Sequence, residues 1–222
     1  MTEHLAMTEP ASTHIPAPDE PSHIGPRLRA QREHLGLSLR ELARRIGVSA
    51  SLISQIERDK VNPSVSTLYS LVRELRLGMG ELFSTEVTVL PVASNAAALR
   101  PPPRVTPDRR AVINLASGVT WERLTAGGDS GVEFLRVVYN PGSESCAADS
   151  LVRHGGKEYG YVISGRLGVQ ISFDRYNLGP GDSISFDSSS PHRLWTIGDQ
   201  PAEAIWFVVG RQSDNRVAPG GG

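Results

Sequence analysis

The sequence predicts two small domains of different class, a helical unit followed by an all-β unit, and three observations point there. Apolar residues recur at helical spacing as far as Phe83 and at every second position later in the chain. Between the two patterns stand Pro91, Pro101, Pro102, Pro103 and Pro107, which cannot sustain a helix. Charge divides the same way: residues 24–83 hold ten Arg and Lys against six Asp and Glu, a net of +4 that leaves −5 for the rest. A chain of 222 residues, at roughly 150 residues per domain, accommodates one or two domains.

Composition narrows the class further. Hydrophobic residues make up 39% and charged residues 21%, which excludes a fully disordered chain or a coiled coil. No apolar run approaches the ~20 residues of a membrane span, and Met1 to Ile24 is not basic-then-apolar like an export signal. Cys146 is the single cysteine, so neither an internal disulfide nor a thiolate metal cluster is available. These features predict a cytoplasmic protein with no membrane partner. A locally basic module tied to an acidic one predicts a polyanionic partner for the first alone.

In chain order, residues 1–23 carry four prolines without apolar period and are expected to be a disordered tail. About five short helices follow in residues 24–83, separated at Gly36-Leu37-Ser38, Gly47-Val48-Ser49 and Lys60-Val61-Asn62-Pro63-Ser64. Val65, Leu68, Leu71, Val72 and Leu75 give one helix its apolar stripe, and Gly78 is expected to stop it. Residues 84–107 are the Pro-rich linker. Residues 108–211 form the β unit: Leu167, Val169, Ile171 and Phe173 alternate with Gly168, Gln170 and Ser172, and turns fall at Asn140-Pro141-Gly142, Ser164-Gly165 and Gly179-Pro180-Gly181-Asp182. Short strands at this spacing predict a small antiparallel barrel or sandwich. Residues 212–222 are expected to be a flexible tail.

Residues 39–58 place apolar side chains where a helix-turn-helix needs them. Leu42, Ile46, Val48, Ile53 and Ile56 make a shared core, Ala43 is small at the helix crossing, and Gly47 suits the left-handed turn. Ser38 with Glu41 reads as a capping box, and Ser49 is placed to cap the second helix. With Ile53-Ser54-Gln55-Ile56-Glu57-Arg58 and Asn62-Pro63-Ser64, residues 28 to 83 resemble a Cro/CI-type (XRE-type) DNA-binding domain, expected as a five-helix unit. The resemblance implies that the second helix of the motif enters the major groove. Its outward residues are Ala50, Ser51, Ser54, Gln55 and Arg58, with Gln55 able to pair bidentately with adenine. Ser38, Arg58, Lys60, Asn62 and Ser64 lie at helix starts or in the following loop, where such domains hold phosphates, and Ser49 counts with them among the expected DNA-binding residues. Without the motif, the same basic residues would mean only a solvated face.

The β half holds two histidines, His154 in His154-Gly155-Gly156-Lys157-Glu158-Tyr159-Gly160-Tyr161 and His192 after Pro180-Gly181-Asp182 and Pro191. Both stretches resemble the two motifs of cupins, jelly-roll β-barrels that enclose a metal or ligand. With the first domain, the whole resembles XRE regulators carrying a cupin sensor. The resemblance implies that His154, Glu158 and His192 converge inside the barrel, a donor set that suits Fe(II), Zn(II) or Ni(II). A further His of the cupin metal motif is replaced by Val152. Three readings therefore stand side by side: an open metal site, an organic effector site, or a hydrogen-bonded histidine pair that only orients Glu158. Tyr159, Tyr161, Phe186, Arg193 and Trp195 are expected to line the pocket.

The expected function is sequence-specific transcriptional regulation of a pseudo-palindromic double-stranded operator by a homodimer that senses a small molecule or metal, and no enzymatic activity. The alternative is a mononuclear iron oxidase resembling hydroxypropylphosphonate epoxidase, with His154, Glu158 and His192 as its iron ligands. The linker predicts coupling through dimer geometry rather than through a core shared by the two domains.

Overall fold

The computed structural model describes residues 23–83, 103–127 and 131–210. The expected tails, apart from His23, and residues 84–102 of the expected linker lie outside the described residues. Among the described residues, five helices come first: α1 (Gly25–His34), α2 (Leu39–Ile46), α3 (Ala50–Ile56), α4 (Val65–Glu74) and α5 (Met79–Leu82).

Side-chain caps start three of them. The hydroxyls of Ser38, Ser49 and Ser64 accept the backbone N–H of Glu41, Leu52 and Thr67, each at 3.1 Å. The expected capping box is only half made, because the Glu41 carboxylate turns to Arg44 and Arg45 instead of back to Ser38. Gly47 closes α2 with φ 74°, the left-handed turn a residue with a Cβ adopts at a cost. Gly78 does not stop α4. The helix has ended by Leu75, Arg76 takes the left-handed conformation with φ 53°, and Gly78 is the N-cap of α5.

Leu42, Ile53, Ile56, Leu68, Leu71 and Leu75 are fully buried, with Ile46 and Val48 partly buried against them. Burying each such side chain contributes roughly 1.5–3 kcal/mol. One ion pair crosses this core. The Arg32 guanidinium on α1 donates to both carboxylate oxygens of Glu57 (2.6 and 2.8 Å) and to the Leu37 carbonyl oxygen at 2.8 Å. The bond to Glu57 raises the arginine's pKa further.

Nine strands follow: β1 (Val112–Asn114), β2 (Val119–Arg123), β3 (Val132–Tyr139), β4 (Lys157–Ser164), β5 (Leu167–Ile171), β6 (Asp174–Leu178), β7 (Ser183–Asp187), β8 (His192–Thr196) and β9 (Ala202–Val209). They form an antiparallel six-stranded sheet, β1-β2-β3-β9-β4-β7, and a three-stranded sheet, β6-β5-β8. The expected closed barrel is not what forms. The sheets part where the turn at Gly179–Asp182 carries the chain from β6, at the edge of the smaller sheet, to β7, at the edge of the larger. Isolated bridges at Glu144–Trp195 and Val152–His192 tie the segment between β3 and β4 to β8 of the smaller sheet.

Strand parity sets what faces inward. Glu158 pairs with Phe186 and Val208, and Gly160 with Ile184 and Trp206, so these positions share the face toward the second sheet while Tyr159 and Tyr161 turn away. Gly160 leaves room for the indole of Trp206: a Cβ on it would fall against that ring.

The two domains are in direct contact, contrary to the expectation drawn from the linker. The Ala116 N–H donates to the Pro63 carbonyl oxygen at 3.0 Å, and Arg123 on β2 donates to the Gly80 carbonyl oxygen at 3.0 Å while its guanidinium sits over the Phe83 ring. The Tyr69 ring on α4 lies 5.6 Å from that of Trp121 on β2. A long linker limits how far two domains can separate; it does not stop complementary surfaces from packing.

Candidate functional site

The first site is the outer face of the helix-turn-helix. Ile53 and Ile56 anchor α3 in the core, which leaves Ser51 and Arg58 exposed and Ser54 and Gln55 half-buried on the opposite side. Ala50 packs partly against the core and so offers less to a base than expected. The Arg58 guanidinium is held over α3 by donating to the Ser54 carbonyl oxygen at 2.9 Å. Lys60 is exposed beyond the helix and Asn62 is half-buried in the loop before α4. A surface groove brings Ser38, Ser54 and Arg58 together with Arg29 and Arg40. Motif spacing did not single out those last two cations; their exposure on α1 and α2 is a product of helix packing.

The second site lies between the two sheets. Glu158 Oε1 is 2.9 Å from His154 Nε2 and 3.1 Å from His192 Nε2, and Glu158 Oε2 accepts the Trp206 indole N–H at 2.7 Å. Three elements supply these groups: the loop before β4 brings His154, β4 itself Glu158, and the start of β8 His192. Glu158 and His192 are buried.

The imidazoles are oriented from behind. His154 Nδ1 is 3.0 Å from the Gly155 carbonyl oxygen and His192 Nδ1 is 2.8 Å from the Ser190 carbonyl oxygen. A carbonyl only accepts, so these contacts place a proton on each Nδ1 and turn each Nε2 toward Glu158. Glu158 Oε1 is buried, and its near neighbours at the site are these two Nε2 atoms. Three electron-rich atoms within 4.8 Å of one another converge on one point. Only a positive charge there, from proton or metal, removes the repulsion. Burial opposes ionisation of Glu158, and the two imidazoles overcome it, holding the carboxyl well below its usual range.

The donor set fits a divalent cation such as Fe(II), Zn(II) or Ni(II). Two imidazole nitrogens and one carboxylate oxygen would hold it, with the Nδ1 contacts to backbone carbonyls as the outer support that such ligands commonly have. Val152, in the position of the missing histidine, lines the same pocket and closes it with an apolar side chain.

The remaining residues expected at the pocket fall on both sides of its wall. Phe186 faces inward, its ring 5.1 Å from that of His192. Tyr159 and Tyr161 are exposed on the outer sheet face. Arg193 and Trp195 alternate with His192 and Leu194 along β8 and point away, the guanidinium lying 4.6 Å above the indole. Trp121, Tyr139 and Trp206 line the pocket instead, with Val65 and Tyr69 from α4. The free volume is about 30 Å³.

A helix-turn-helix with an outward cationic face, joined to a cupin-like sheet domain around a buried donor triad, defines a DNA-binding regulator with a pocket domain. Comparison with known proteins agrees. A helix-turn-helix family model matches residues 28–82 and a cupin-domain model matches residues 135–208. The chain is 30% identical over 176 residues to the HTH-type transcriptional regulator PuuR of Escherichia coli (strain K12), covering 78% of this chain and 88% of that protein. The chain belongs to the helix-turn-helix transcriptional regulators that carry a C-terminal cupin domain.

Among solved structures, an HTH_3 family transcriptional regulator from Vibrio cholerae shares the fold, with a TM-score of 0.58 at 22% identity over 87% of this chain and 98% of that one. Hydroxypropylphosphonic acid epoxidase from S. wedmorenis superposes more loosely, with a TM-score of 0.39 at 18% identity over 86% and 100% of the two chains.

Proposed function

We propose that this regulator reads a pseudo-palindromic operator as a cytoplasmic homodimer and that its sheet domain senses a divalent metal, or a small molecule held with one, at His154, Glu158 and His192. On α3, Gln55 would contact a base edge, flanked by Ser51 and Ser54. Ser38, Ser49, Arg58, Lys60, Asn62 and Ser64 would hold phosphates, joined by Arg29 and Arg40. Two such units on a two-fold axis would meet half-sites about 34 Å apart, one turn of B-DNA. The observation that carries the pocket half of this reading is the convergence of two imidazole Nε2 atoms and one buried carboxylate oxygen on one point.

The triad would equally serve an iron oxidase. The likeness to a transcriptional regulator over 78% of this chain favours the regulator.

The test is selection of random duplex DNA by the full-length chain, then anisotropy titration of the winning sequence at two salt concentrations, with metal analysis of the purified protein. An inverted repeat should be enriched. A dimer making about six phosphate contacts should lose about 10³-fold in affinity between 50 and 200 mM salt. Affinity indifferent to salt would remove this DNA interface. Turnover of a hydroxyphosphonate on anaerobic loading with Fe(II) followed by oxygen would establish the oxidase instead.

A further inference from the structure

The pocket described above is not built by the sheet domain alone. Val65 and Tyr69 stand four residues apart on α4, one helical turn, and both line it. The Tyr69 ring lies 5.1 Å from the His154 ring at 45° and 5.6 Å from the Trp121 ring at 44°. Helix α4 packs against α2 and shares Leu68 and Leu71 with the core beneath the reading helix. A side chain of the DNA-binding unit therefore touches a candidate metal ligand.

The walls differ in how readily they can move. Trp121 is on β2, paired on both sides, and Trp206 is on β9, also paired on both sides. Shifting either would break a sheet ladder. Tyr69 is half-buried, and two hydrogen bonds across the domain boundary accompany it, Ala116 to Pro63 and Arg123 to Gly80. With about 30 Å³ free, an organic occupant has no place until one wall gives, and Tyr69 with α4 is the wall that gives most easily.

We infer that the pocket is shared between the domains, that Tyr69 is the wall contributed by the DNA-binding unit, and that whatever fills its seat sets how firmly the reading helices are docked. This rests on the sensing role proposed above and adds the ligand class and the route of regulation. A bare metal ion fits without displacing the ring. The occupant that acts on DNA binding is an organic molecule with a donor head for the triad and an apolar body that takes the place of Tyr69 against Trp121, Leu135, Val137 and Leu194. Because a ligand shifts an equilibrium only by its differential affinity, ejection of Tyr69 is the differential event.

The experiment uses the full chain in four forms: wild type, Tyr69→Phe, Tyr69→Ala and, should the alanine variant unfold, Tyr69→Leu. The probe is 4-methylphenol, the tyrosine side chain without its tether, which can refill the hole an alanine leaves. Two quantities are read: affinity for the selected duplex, and amide hydrogen exchange across residues 65–74 without DNA. Tyr69→Ala should bind the duplex at least fivefold more weakly and exchange at least fivefold faster in α4. Saturating 4-methylphenol should bring both within twofold of wild type and leave wild type and Tyr69→Phe unchanged. A folded alanine or leucine variant within twofold of wild type in both readouts overturns the proposal, as does failure of the probe to restore either. If the wild type binds no duplex but α4 exchange responds and reverses, the shared pocket stands and the operator-reading proposal falls. If duplex binding is strong and indifferent to Tyr69, that reading stands and the shared pocket falls.

Discussion

The reading face and the pocket are assembled by opposite strategies. In the helix-turn-helix, each cap joins residues three apart: Ser38 with Glu41, Ser49 with Leu52 and Ser64 with Thr67. In the pocket, Trp206 reaches Glu158 across 48 positions of sequence, and the His154 ring stands edge-on to that of His192 at 5.1 Å. Local construction lets each helix start hold itself in place; distant construction makes the pocket depend on the register of several strands at once. A single substitution should therefore fail gently in the first region and more widely in the second, with one exception inside the helical domain.

The largest effect expected breaks that contrast inside the helical domain. Arg32 and Glu57 are buried together and lie 25 positions apart. Removing one partner of a buried pair strands the other charge, so Glu57→Ala should lower stability by about 3–5 kcal/mol. Urea unfolding followed by circular dichroism of the helical bands would register this, and a loss under 1 kcal/mol would show that the pair is dispensable.

Next comes Gly160→Ala, which tests the distant strategy directly. The added methyl would sit where the Trp206 ring now lies, so the indole must move and release Glu158. Overpacking of this kind costs about 1–3 kcal/mol. Metal affinity of the full chain, measured with Co(II), should fall at least tenfold while duplex selection still recovers the same half-site. Unchanged Co(II) affinity would mean that Trp206 does not position Glu158.

Smaller effects are expected on the reading face. Gln55→Ala should reduce duplex affinity about tenfold and relax preference at one base position, as loss of one bidentate contact does; a uniform loss across sequences would reassign Gln55 to backbone contact. Ser49→Ala should cost about 1 kcal/mol through the lost cap, confined to α3 in an exchange map.

The smallest effect concerns Glu41, whose carboxyl Arg44 and then Arg45 hold down at about 2 instead of 4.5. Because the folded value is the lower one, its contribution is complete above pH 4.5, the unfolded value, and is lost as pH falls toward 2. A carboxyl carbon resonance of Glu41 that titrates near 4.5 in the folded chain would contradict this.

What was readable in the sequence follows the same division. The caps, Gly47 and the inward Ile53 and Ile56 were legible because their causes are three or four residues away. The triad was legible as a motif resemblance, and its geometry then carried information that went unused. Once Glu158 faces inward, the strand period of two turns Tyr159 and Tyr161 outward; His192 does the same to Arg193 and Trp195. Trp206 could be placed only with the β4–β9 register. Tyr69 gave no signal, since Val65, Leu68, Leu71, Val72 and Leu75 describe the helix's own core stripe and say nothing of a second domain packing on its flank. Arg32 and Glu57 read as ordinary surface charges until α1 crosses the end of α3. The sheet's failure to close also depended on where ladders stop, which alternation alone does not encode.

The Trp206 indole that hydrogen-bonds Glu158 has a further consequence. The chain has three tryptophans, and two of them, Trp121 and Trp206, line the pocket. Intrinsic emission is thus weighted toward the proposed sensing pocket, with one fluorophore beside the Glu158 carboxylate and the other beside the Tyr69 ring. The protein carries its own optical reporter, and effector libraries can be screened against unlabelled protein in advance of any knowledge of the operator.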